Sequence, residues 1–187
     1  MSAPAEALTM ADSGAPGSDS GDRLEFPCGE RVDPHEIDLG MREYACPCGD
    51  AHAVVTDVHP PSRFFPESLV AVLQETIDTD DEFEEFGTPH LLGVVLEEFP
   101  EEVVVYDASD DGAVGYTLLW LTDFDARRLH EVVVELVVEL MEHAISHAEN
   151  DDAVTEFESQ MLEFDVAEFV DQYRRQREFE SEHDQPL

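Results

Sequence analysis

From residue 60 onward the apolar residues of this chain recur at helical spacing, interrupted by two strand-like runs. Leu69, Val70, Leu73 and Ile77 share one face of a helix predicted over Glu67–Ile77. Leu91, Leu92, Val95, Leu96 and Phe99 form a second stripe, opened by Thr88 as N-cap with Pro89 in the first turn and stopped by Pro100. Val103–Asp107 and Val114–Thr122 are β-rich runs around Ser-Asp-Asp-Gly, which predicts a hairpin with a longer loop. Thr122 and Asp125 are spaced as a capping box ahead of the strongest helical pattern, Ala126–Ala148. Its acids Glu131, Glu135, Glu139 and Glu142 lie 4, 4 and 3 residues apart, one wet stripe on an otherwise apolar rod. Such a helix is expected to be nearly buried. A last helical stretch, Ala153–Glu180, breaks at Asp165, where Asp165 and Glu168 can open a new helix.

The first third of the chain reads differently. Leu24–Val58 consists of short apolar pieces between turn residues, ending in a strand at Ala53, Val54 and Val55, and Pro60, Pro61 and Pro66 mark a boundary. Residues 1–22 are small, polar and rich in Pro and Gly, the composition of a disordered acidic tail. The expected organisation is a tail at 1–22, a Cys-bearing β element at 23–58, a mixed domain at 62–180 and a short tail at 181–187. The class is α+β: a small β element, then a β-hairpin and a helix-rich C-terminal half.

Charge changes the picture of the surface. The 187 residues hold 46 Asp+Glu against 9 Lys+Arg, a formal net charge of −37, and every basic residue is Arg. At 42% hydrophobic with eleven Phe, the chain can still build a core, unlike a disordered acidic one. So many like charges repel one another in dilute salt. At molar salt the screening length falls to about 3 Å and most of that repulsion disappears. A carboxylate surface without Lys therefore predicts a protein of a high-salt cytoplasm. The acids run from Glu6 to Asp184 and are not gathered in one patch, so they read as a solvation device and not as a site for a basic ligand. No stretch approaches the roughly 18 apolar residues that span a bilayer, and the N-terminus lacks a secretory pattern, so no membrane association is expected.

The candidate chemistry is carried by the cysteines. All three lie between residues 28 and 48, in Phe26-Pro27-Cys28-Gly29 and Cys46-Pro47-Cys48-Gly49. Each piece reads Pro-Cys-Gly, and Gly after Cys supplies the positive φ of a turn whose N–H groups can point at a thiolate. Two such turns brought together can set ligands tetrahedrally around Zn²⁺. In this Leu24–Val58 segment the chain resembles a zinc ribbon, whose knuckles read Cys-x-x-Cys-Gly. Here Glu25 stands where the leading Cys of the first knuckle falls, and Cys46-x-Cys48 is one residue tighter than the family pair. The resemblance implies a structural Zn²⁺ held by Cys28, Cys46 and Cys48, with His52 the nearest fourth ligand and His35 the next. The alternative is three reduced thiols of a cytosolic protein.

Other signals are weaker. Glu139, His143 and His147 share a helical face, and His pairs at i, i+4 can bind a divalent metal, but no Glu lies between them as in a metalloprotease. Asp107-Ala-Ser109-Asp-Asp111-Gly112 matches the first half of a calcium loop, with Leu118 where the bidentate acid belongs. Arg174, Arg175 and Arg177 are a basic cluster, and Arg174 is spaced to pair with Glu178. Without Lys there is no P-loop lysine, no pyridoxal-phosphate Schiff base and no lysine nucleophile. Neither Gly-x-Gly-x-x-Gly nor Gly-x-Ser-x-Gly occurs.

As a whole the chain resembles the uncharacterised acidic protein families of haloarchaea, here with a ribbon-like N-terminal element, a likeness that implies no activity. The leading expectation is a non-enzymatic interaction or adaptor protein, with the zinc element as a staple and the helical half docking a protein partner or a second copy. Phe169, Tyr173 and Phe179 are the expected apolar contacts. A nucleic-acid or transcription-associated ribbon protein using Arg31 and Arg42 is the second reading. It is disfavoured because Asp22–Asp57 holds three Arg against nine acids and phosphate binding weakens steeply with salt. A metal-dependent enzyme built on His143 and His147 is the third.

Overall fold

The computed structural model describes residues 23–177 apart from 39, 81–82, 84, 109–117 and 148; of Ala153 and Phe157 it describes the backbone alone. A two-stranded hairpin, β1 (Leu24–Glu25) with β2 (Arg31–Val32), precedes a four-stranded sheet. That sheet contains β3 (Glu43–Ala45), β4 (Ala51–Thr56), β5 (Val103–Asp107) and β6 (Leu118–Thr122), antiparallel throughout in the order β3-β4-β6-β5. The helices are α1 (Glu67–Thr76), α2 (Thr88–Glu98), α3 (Ala126–Ser146), α4 (Asp151–Leu162) and α5 (Val166–Arg177). The chain is thus a mixed α+β protein with a helix-rich C-terminal half, as its hydrophobic pattern predicts.

Period-two alternation divides the central sheet into two apolar faces. Ala53, Val55, Val103 and Trp120 pack with the helices, against Leu91, Leu92 and Val95 of α2 and Leu129, Val132, Val133 and Val137 of α3. Val54, Leu119 and Leu121 point the other way and pack against Leu24, Phe26, Val32 and Ile37 of the N-terminal hairpin and its following turn. Strand β4 lies between β3 and β6 with both faces covered, and residues 52–56 are all buried. The Cys-bearing segment and the helical segment therefore share one sheet across the expected boundary at Pro60–Pro66, with Val54 opposite Leu121 and Val55 opposite Trp120.

Several helix ends differ from the expectation. The N-cap of α2 is Gly87, not Thr88, whose hydroxyl instead donates to the His59 carbonyl. Asp125 caps α3, its carboxylate accepting from the Arg128 N–H at 2.7 Å, while the Thr122 hydroxyl donates to the carbonyls of Ala53 and Phe124. Thr122 is still the last residue of a strand, so its hydroxyl is used across the sheet. The buried residues of α3 lie in its N-terminal part; from Val138 onward its residues are half-buried or exposed. Asp165 opens α5 as expected, accepting from the Glu168 N–H at 2.9 Å.

Helix α5 corrects the expected docking face. Tyr173 is buried, its hydroxyl donating to the carbonyls of Ser62 and Phe65, and Phe169 packs against Phe65 and Phe164. These rings join the helical core because α5 lies along α3, an arrangement the helical period alone does not specify. Phe179 and Glu178 lie outside the described residues, as do both expected tails and most of the calcium-like loop. Among the described residues no helix is long and apolar enough to cross a membrane.

Candidate metal centre

Two turns of the same form build the site. In the first, Phe26 N–H donates to Glu30 O at 2.9 Å and Gly29 N–H to Phe26 O at 2.8 Å; in the second, Cys46 N–H donates to Asp50 O at 2.9 Å and Gly49 N–H to Cys46 O at 3.0 Å. Gly29 (φ 88°) and Gly49 (φ 107°) are the positive-φ residues the turns require. The flanking strands pair in the same register, Glu25 with Arg31 and Ala45 with Ala51. Cys28 and Cys48 thus occupy one position of a repeated turn, and Cys46 corresponds to Phe26. Glu25 stands where the Cys-x-x-Cys-Gly spacing puts a leading Cys, and the residue at the Cys46 position of this repeat is Phe26. Its buried ring stacks on Tyr44 at 5.2 Å and tilts against His52 at 5.1 Å.

The fourth candidate donor comes from a strand. His52 lies on β4 opposite Tyr44, on the hairpin face of the sheet, and is fully buried. Its Nε2 stands 3.2 Å from Cys48 Sγ, while Cys28 Sγ is 3.8 Å from Cys46 Sγ. The ligand atoms of Cys28, Cys46, Cys48 and His52 all lie within 4.8 Å of one another. Zn–S bonds near 2.3 Å put tetrahedral sulfurs about 3.8 Å apart and a sulfur and an imidazole nitrogen about 3.5 Å apart. The Cys28–Cys46 and Cys48–His52 pairs are near those separations, and the widest, up to 4.8 Å, would have to close by about 1 Å for one tetrahedral cation to bridge all four donors. All three cysteines are free thiols. Burial pushes the Cys46 thiol up to about 12; the Cys48 backbone N–H pulls it down, and the Cys48 and Cys28 side chains add to the rise. A cation entering the site has to displace that proton.

The far side of the imidazole faces a carboxylate. His52 Nδ1 is 3.2 Å from Asp123 Oδ1, within ion-pair reach but without hydrogen-bond alignment, and is otherwise unpartnered. The hairpin is fastened to the sheet beside the site by Tyr106, whose hydroxyl accepts from Glu25 N–H at 2.7 Å and donates to Glu25 O at 2.9 Å. On the other flank, Glu43 of β3 accepts from the first-turn N–H of Ala126 in α3 at 2.8 Å, where the positive helix end favours an anion.

A model of a family of unknown function, DUF5815, matches residues 24–177, from the first residue of β1 to the last of α5. The chain belongs to DUF5815. No curated protein and no solved structure matches it.

In this DUF5815 chain the four residues expected to hold a metal come together, and they could bind an ion. His35, the other candidate for fourth ligand, is exposed in a 3-10 turn and stands outside the group. His143 and His147 stack edge to face at 4.8 Å on the exposed end of α3, and no third ligand joins them among the described residues. Arg31 is ion-paired with Glu25 at 2.7 Å. Arg175 donates to the Asp171 carbonyl, and Arg177 is buried with its guanidinium 5.9 Å from the Tyr173 ring centre, so the basic cluster is not one open patch. Asp123 had no signal in the sequence, since it is one acid among many and far from His52 along the chain.

Proposed function

We propose that this chain is a non-enzymatic protein-interaction or adaptor protein of a high-salt cytoplasm, in which Cys28, Cys46, Cys48 and His52 hold a structural Zn²⁺. The closed donor set carries this reading: three thiols and one imidazole within 4.8 Å of one another fill a four-coordinate ion and leave no position for a substrate. Thiolate-rich tetrahedral sites suit Zn²⁺ over the harder Mg²⁺ and Ca²⁺. The site's place supports a staple, since Cys28 sits on the N-terminal hairpin while the other three ligands sit on the turn and strand of the central sheet.

The net charge of −37, dispersed along the chain, supports salt adaptation. In such a medium docking rests on apolar contact, because steering by charge is screened. With Tyr173 buried, the side chain to test first is Leu162 at the end of α4, 88% exposed.

The deciding experiment is metal content by mass spectrometry on protein purified in high salt, for the parent, Cys28→Ser and the His143→Ala/His147→Ala pair. One zinc per chain, lost with Cys28 and kept in the His pair variant, is the expected result. No metal in the parent sinks the staple, and a zinc lost only in the His variant moves the site to α3. Binding of DNA or RNA in molar KCl would instead favour the nucleic-acid reading.

A further inference from the structure

We propose that Asp123 is the positioning residue of the metal centre, accepting a hydrogen bond from the Nδ1–H of His52 and so directing the Nε2 lone pair toward the three thiols. The assignment rests on reading Cys28, Cys46, Cys48 and His52 as a metal centre, and adds to it a residue outside the ligand set. A neutral imidazole has one N–H and one lone pair, and a metal takes only the lone pair. His52 presents Nε2 to Cys48 Sγ at 3.2 Å, and a metal held there takes that lone pair and leaves the proton on Nδ1. That nitrogen is fully buried, and a buried N–H without an acceptor costs about 1–3 kcal/mol. The Asp123 carboxylate, 3.2 Å away, is the acceptor within reach.

The surrounding backbone shows that this approach is built in. Asp123 lies in the turn from β6 to α3, and that turn is clamped to β4 one residue from His52. Ala53 N–H donates to Phe124 O at 2.6 Å, the Thr122 hydroxyl donates to Ala53 O at 3.1 Å, and Asp123 N–H donates to Glu102 O at 2.8 Å. Imidazole and carboxylate are thus held at their separation by main-chain bonds on both sides. His130 shows the contrast: equally buried, it uses Nε2 to reach the Phe64 carbonyl at 2.7 Å, and among the described residues it has no ion pair with a carboxylate.

Outer partners of this kind orient a ligand histidine and raise its basicity, and their loss typically weakens metal binding about 10- to 100-fold. The test is Zn²⁺ affinity of the full chain by competition with a chromophoric chelator, with ¹⁵N shifts of the His52 ring in the zinc-loaded state. Asp123→Ala is expected to bind about 10- to 100-fold more weakly and to lose the defined Nδ1–H signature. Asp123→Asn, which keeps an acceptor oxygen, should recover part of both. Parent-like affinity in Asp123→Ala overturns the proposal, and so does weakened affinity with an unchanged His52 tautomer, which marks a merely structural role. A parent chain that takes up no Zn²⁺ is a different failure, because it removes the metal centre itself.

Discussion

The two faces of the central sheet are held by different means. The helix face carries a broad core spanning α1, α2, α3 and α5, with Phe64, Leu92, Leu129 and Val170 fully buried. The hairpin face has a small cluster around Phe26, Val54, Leu119 and Leu121, covered by strands of two residues each. A two-stranded hairpin is marginal by itself in water, and a small apolar cluster supplies little surplus over the entropy of ordering it. The four candidate ligands lie on this weaker face. On the helix face buried area suffices; on the hairpin face a metal held by the four donors would make up the difference.

The largest expected effect separates the faces directly. Structural zinc contributes on the order of 10 kcal/mol in small zinc peptides. Chelating the metal, or replacing Cys48 with Ser, should abolish hydrogen-exchange protection in 24–32 while amides of α2 and of the buried half of α3 stay protected. Simultaneous loss on both faces would show that they form one cooperative unit.

Core truncations sharpen the comparison. Phe26→Ala should cost about 3–5 kcal/mol and also weaken metal binding, because the ring braces His52. Leu129→Ala should cost about 2–5 kcal/mol without touching metal affinity. Denaturant titrations of the metal-loaded variants, paired with chelator competition, read both quantities.

Acid should discriminate next. Burial pulls His130 down from 6.5 to about 4, with Arg174 adding to the fall and the Phe64 carbonyl opposing it. The unfolded chain therefore binds the proton first as pH drops. Stability from this residue is complete above about pH 6.5 and is lost toward pH 4, about 3 kcal/mol in all. Measured on the chelated chain, parent minus His130→Gln should show that slope, and a flat difference between pH 7 and pH 4 would contradict it.

The smallest effect compares the two turns. Gly29→Ala and Gly49→Ala meet no neighbouring atom within 4 Å, so each should cost only the backbone penalty, about 1–2 kcal/mol. Unequal melting shifts in the metal-loaded chain would show that the turns are not the equivalents their hydrogen bonds make them.

Much of this was legible beforehand. The Pro-Cys-Gly pair located both turns, and the strand, hairpin and helix periods located the elements of the larger face, because local backbone preference and periodicity are written in neighbouring residues. The frame Phe26-Pro27-Cys28-Gly29-Glu30 against Cys46-Pro47-Cys48-Gly49-Asp50 also sets Phe26 opposite Cys46, whereas comparison with Cys-x-x-Cys-Gly directed attention to Glu25. Helix starts were displaced by the tertiary uses of Thr88 and Thr122, whose hydroxyls bond to carbonyls distant in sequence.

The sequence by itself determined the α+β class, the acidic surface, the paired turns and the three Cys donors with His52 or His35 beside them, each a matter of composition or short-range spacing. Only the tertiary structure decided that β4 pairs with β6, that Tyr173 turns inward, and that Asp123 stands behind His52. Those outcomes depend on which distant segments meet. That choice is set by the joint packing of both sheet faces, and no local pattern encodes it.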